Sequence, residues 1–135
     1  MSGPNYELAV AWLRKADHDL ITAKQTLLLP DGPTDTVCFH TQQAVEKALK
    51  AVLVWNQVPF PKTHNLIRLM DLALGYMPGL ERYRQDFAQM SIYSTEVRYP
   101  DDWFEPARDD ANHSLAVAEE IVVKVRKLLS EGRNK

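Results

Sequence analysis

The feature that most constrains this chain is the stretch from Val37 to Leu53. Val37, Thr41, Ala44, Val45, Ala48, Leu49, Val52 and Leu53 recur at three and four, a helical period held over some five turns. Strand-length segments would break such a period, so the chain is built around a long helix. Alanine at 44, 48 and 51 lets neighbouring helices approach closely. Everything else has to cover that helix.

The flanking segments supply the cover. Ala9, Trp12, Leu13, Ala16, Leu20, Ala23 and Leu27 form an amphipathic first helix between Asn5 and Leu29. Leu29-Pro30-Asp31-Gly32-Pro33 ends it and makes a tight connection, with Thr34 or Asp35 as the cap of the second helix. A proline-bounded loop at 57–63 precedes a short third helix from Asn65 to Leu74, stopped at Gly75. A fourth helix is expected from about Leu80 to Tyr93, carrying Tyr83, Phe87, Met90 and Ile92. A loop follows at Arg98-Tyr99-Pro100, because proline disfavours helix at the residue before it. The last helix is expected to start near Glu105 with Pro106 in its first turn and Asp109 and Asp110 at its positive end. Ser130 to Lys135 reads as a polar tail. No alternating strand pattern and no repeat appear, so the fold class is all-α: an up-and-down bundle of four to five helices in one domain, residues 1–135, with its core at about 6–129.

Composition narrows the function. The 135 residues carry 16 Lys plus Arg against 18 Asp plus Glu, a formal net charge of −2, which excludes a generally basic nucleic-acid coat. A lone cysteine, Cys38, permits no internal disulfide and no cysteine-rich metal cluster. The longest apolar run, Ala51 to Trp55, is far short of the roughly 20 residues of a membrane span, and no secretory signal is readable, so a cytoplasmic protein without membrane contact is expected. No metal-ligand spacing, glycine-rich phosphate loop or Ser-His-Asp order occurs, and no cofactor is implied.

Two places could carry chemistry. His40, Gln43 and Lys47 fall on one stripe of the second helix beside its alanine-rich face, with Glu46 and Lys50 flanking it. The stripe reads either as a solvated flank with local Glu and Lys pairing or as a row of donors aimed into a groove. In the segment from Tyr93 to Trp103, Arg98 lies among aromatic and acidic residues. A guanidinium fork beside Tyr99 suits phosphate and base recognition, while a packed loop with Arg98 paired to Glu96, Asp101 or Asp102 is the structural alternative. His64 could cap a turn or act as a base, and His18 and Asp19, being adjacent, point apart and make a poor ligand pair.

Four segments together resemble the HEPN family, the higher eukaryote and prokaryote nucleotide-binding domain, in its small stand-alone prokaryotic form. They are Ala11 to Leu20, the string from Cys38 to Ala51 (Cys-Phe-His-Thr-Gln-Gln-Ala-Val-Glu-Lys-Ala-Leu-Lys-Ala), His64-Asn65-Leu66 and Arg98-Tyr99-Pro100-Asp101. The likeness runs from about Tyr6 to Leu129, and the second helix is its most specific part. It implies a helical bundle that dimerises and associates with nucleotides or RNA, often beside a minimal nucleotidyltransferase in a toxin and antitoxin pair. His40, Gln43, Lys47, Arg98 and Tyr99 are the candidate nucleotide- or RNA-binding residues.

Ribonuclease members of the family use an arginine and, a few residues on, a histidine near the end of the helix before the last loop. Here Phe87 to Tyr99 contains Tyr93, Arg98 and Tyr99 but no histidine. Arg108 to His113 fits the letters of that pattern in the following helix, where the two side chains stand about 140° apart at roughly 100° per residue. The expectation is therefore a binding and interaction module. The alternative is a metal-independent endoribonuclease in which Arg108 and His113 supply the cation and the base.

Overall fold

The computed structural model describes residues 4–94 and 105–133. α1 (Pro4–Leu28), α2 (Thr34–Trp55), α3 (Leu66–Ala73), α4 (Arg84–Met90) and α5 (Arg108–Arg133) follow in order, with 3-10 turns at Pro78–Tyr83 and Ser91–Tyr93 flanking α4. No strand occurs among the described residues. α2 is the axis of the molecule, buried from Val37 to Leu53 on nearly every side by α1, α5 and α3.

The cross-contacts fix the directions of the helices. Tyr6 meets Trp55 edge to face at 6.4 Å and Asp19 meets His40, so α1 and α2 are antiparallel. Thr41 bonds Ser114, and Gly132 lies under the Trp55 ring, so α5 runs parallel to α2. A Cβ on Gly132 would overlap that ring, which is why the position carries glycine. Tyr83 bonds Glu120 and His113 bonds Asp86, making α4 antiparallel to α5. The result is the up-and-down bundle that short connections and amphipathic periods impose.

Helix ends show where local chemistry decides. Pro33, not Thr34 or Asp35, is the N-cap of α2; its hydrocarbon ring offers no side-chain cap bond, and the Thr34 hydroxyl donates to the Pro106 carbonyl at 2.6 Å. Asn65 caps α3 through Oδ1, accepting from Ile67 and Arg68. α2 ends with Gln57 in the left-handed region (φ 58°) and Val58 N–H on the Leu53 carbonyl at 2.9 Å, a Schellman closure.

Two boundaries differ from the periodic reading. The expected continuous helix from Leu80 to Tyr93 is three pieces, a 3-10 turn opening at Pro78, α4, and a second 3-10 turn. Proline at the start sets φ for that turn, and Tyr83, Phe87 and Met90 still reach the core while Ile92 remains 45% exposed. α5 begins at Arg108 rather than Glu105, and Pro106 lies outside it, buried with its carbonyl held by Thr34. At its other end α5 continues to Arg133, through most of the stretch expected to be tail.

Candidate functional site

The polar stripe of α2 is a seam between helices. Asp19 of α1, only 8% exposed, accepts from His40 Nδ1 at 2.8 Å and from Lys47 Nζ at 2.6 Å. The two donors stand about two turns apart on α2, so one carboxylate on α1 can bridge them. His40 and Lys47 keep about a quarter of their side-chain surface, 23% and 24%. Gln43 stands apart from this pair and donates to Gln42 Oε1 at 2.7 Å. The structure thus joins His40 and Lys47 through Asp19, which acts with residues of α2 and not with its neighbour His18.

A second network fills a neighbouring flank of α2. Glu46, 3% exposed, accepts from Lys50 Nζ at 2.9 Å, from Gln42 Nε2 at 3.2 Å, and pairs with His64 Nδ1 at 2.9 Å. Gln42 also donates to the His64 carbonyl at 3.1 Å. Burial pushes the Glu46 carboxyl up, but the hydrogen bonds from Lys50 and His64 and the Lys50 charge outweigh it and hold it below the usual carboxylate range. Lys50 lies 5.4 Å from the Trp12 ring centre and 5.8 Å from that of Phe60, so aromatic faces complete its shell. Between α2 and α5, Thr41 and Ser114 share a buried hydroxyl bond of 2.7 Å. Each of these neighbours of α2 is tied to it by a satisfied polar contact.

Arg108 and His113 serve different partners. Arg108 donates to the carbonyls of Leu27, Leu29 and Pro30, closing the C-terminus of α1, where a cation also meets the negative end of the helix dipole. His113 Nε2 pairs with Asp86 Oδ1 of α4 at 2.7 Å. The histidine lines a cleft of about 100 Å³ with Cys38, Asp86, Gln89, Met90, Tyr93, Asp110 and Ser114. Cys38 is pushed up to about 12 by burial and by the negative charges of Asp110 and Asp35, so it stays a thiol at neutral pH. Arg98 and Tyr99 lie outside the described residues. Among the described residues no group of three His, Cys, Asp or Glu side chains is placed to hold a metal ion, and no helix is long and apolar enough to cross a membrane.

The family model of the HEPN domain matches residues 9–128 of the chain. The chain belongs to the HEPN family. This HEPN domain is 29% identical to the Methanocaldococcus jannaschii protein named "Putative toxin MJ1304", over 96% of this chain and 93% of that one. Its fold is shared with the crystal structure of ST0689, described as an archaeal HEPN homologue, at a TM-score of 0.69 and 24% identity over 90% of this chain and 97% of the other. The crystal structure of TT1696 from Thermus thermophilus superposes equally well, at a TM-score of 0.69 and 28% identity, covering 89% and 97% of the two chains. The expected family and bundle are thereby established.

The sequence missed Asp19 and understated Glu46. Their partners lie 21 and 28 residues away for Asp19 and 18 away for the Glu46 contact with His64. A signal existed for Asp19. It sits one position before core residue Leu20, so it borders the buried face of an amphipathic helix, where an acid requires a partner.

Proposed function

We propose that this HEPN domain works by binding, as a self-associating module that pairs with a minimal nucleotidyltransferase in a toxin and antitoxin type of system and engages a nucleotide or RNA, without cleaving RNA through Arg108 and His113. The observation that carries this reading is the position of Arg108. A guanidinium that closes the end of α1 through three carbonyls is engaged there and held away from a phosphorane. The similarity to the protein named "Putative toxin MJ1304" supports the toxin setting.

The expected outcome in solution is a dimer at micromolar concentration by sedimentation velocity, with a short labelled RNA co-sedimenting intact and released as salt rises. A monomer that leaves RNA free at low salt contradicts the reading. The ribonuclease alternative keeps one supporting observation. The His113 imidazole is 66% exposed and its Nε2 is fixed by Asp86, so its other nitrogen is placed as a base is in general acid and base catalysis.

A further inference from the structure

The cleft between α2, α4 and α5 has a chemistry unlike the two seams along α2. In those seams each buried carboxylate has its cation: Asp19 has Lys47, and Glu46 has Lys50. In the cleft, acceptors outnumber donors. Asp86 accepts from His113 through Oδ1 and has Oδ2 left to accept. Asp110 and Gln89 line the same space with no hydrogen-bond or ion-pair partner among the described residues. At the inner wall Cys38 is 1% exposed, and its thiol has no hydrogen-bond partner among those residues either. Met90 and Tyr93 add apolar and aromatic surface.

Size and sign limit what can enter. Drug-sized or nucleotide-sized ligands occupy about 300 Å³ or more, and this cleft offers about 100 Å³. Two carboxylates, with Asp35 adding to the field felt at Cys38, repel a phosphate. A compact, flat cation with several N–H donors meets the opposite situation. Its edge can bond Asp110, Asp86 Oδ2 and the Gln89 carbonyl oxygen, and its face can lie on an aromatic ring.

We propose that this cleft binds a guanidinium group, that of an arginine side chain carried by a partner protein. A protein-borne arginine reaches such a narrow space on a flexible stem and brings no free α-carboxylate. A free amino acid would bring its carboxylate close to Asp86 and Asp110. The residues lining the cleft include none of the α1–α2 seam.

The test is an NMR titration of the full chain, following the His113 ring and Tyr93 ring resonances. The probes are N-acetyl-arginine methylamide, the matching citrulline derivative as neutral isostere, and free arginine. Saturable shifts with the capped arginine, at least tenfold weaker binding of the citrulline compound, and at least tenfold loss in Asp110→Asn are expected. Asp110 is exposed in the first turn of α5, so that variant folds, which its unchanged amide spectrum verifies. Equal binding of citrulline, no saturable shift with arginine, or full affinity in Asp110→Asn overturns the site. Free arginine binding tenfold more tightly than the capped form overturns the protein-borne source.

Discussion

Two histidine–carboxylate pairs of nearly equal length sit in opposite surroundings. His64 meets Glu46 at 2.9 Å and His113 meets Asp86 at 2.7 Å. The Glu46 side chain is 4% exposed and also holds Lys50 and Gln42, whereas Asp86 is 31% exposed and shares its cleft with Asp110, which has no partner among the described residues. Distance alone therefore says nothing about role. A buried carboxylate whose oxygens are taken up by several donors ties helices together, and one with an oxygen to spare is free to take a ligand.

The comparison predicts unequal responses to mutation. Glu46→Ala leaves the Lys50 ammonium buried without its counter-charge and should lower the unfolding free energy in urea by about 3–5 kcal/mol. An effect no larger than that of His113→Ala would erase the distinction. The same residue sets an acid limit. Its folded carboxyl lies below the unfolded value of about 4.3, so its contribution is complete above that pH and is lost as pH falls through the folded value. Stability measured from about pH 6 down to about pH 3 should fall less steeply in Glu46→Gln than in wild type.

Smaller effects sharpen the picture. Asp19→Ala removes charge-assisted bonds to His40 and Lys47 and should lower stability by about 1.5–3 kcal/mol, with His40→Ala adding little on top because both act on one carboxylate. Thr41→Val strands the buried Ser114 hydroxyl, an expected loss of about 1–2 kcal/mol in the same denaturation assay. At the open cleft, Asp110→Asn should change stability by no more than about 0.5 kcal/mol. A larger loss would make the cleft structural like the seams.

Much of the architecture was legible because it rests on local rules. The period from Val37 to Leu53 set the central helix, and Pro30, Gly32 and Pro33 set the turn before it. A side chain on Gly32 would also collide with the Thr26 carbonyl oxygen, which the spacing could not reveal. Boundaries beside tertiary contacts were not legible: the Thr34 to Pro106 bond spans 72 residues and ties the first residue of α2 to the segment just before α5. The same holds for the site. His40 and Lys47 were visible as a stripe, yet their role depends on Asp19 in another helix. Arg108 looked like half of a catalytic pair until its partners, 78 to 81 residues away, were placed.

Metal-free incubation of the purified domain with a short single-stranded RNA tests the central claim most directly, read as intact and cleaved product on a denaturing gel for wild type, Arg108→Ala and His113→Ala. The account predicts intact RNA at background level in all three. Cleavage by wild type that His113→Ala abolishes, with the helical signal of the variant unchanged, would contradict it and assign the base to His113.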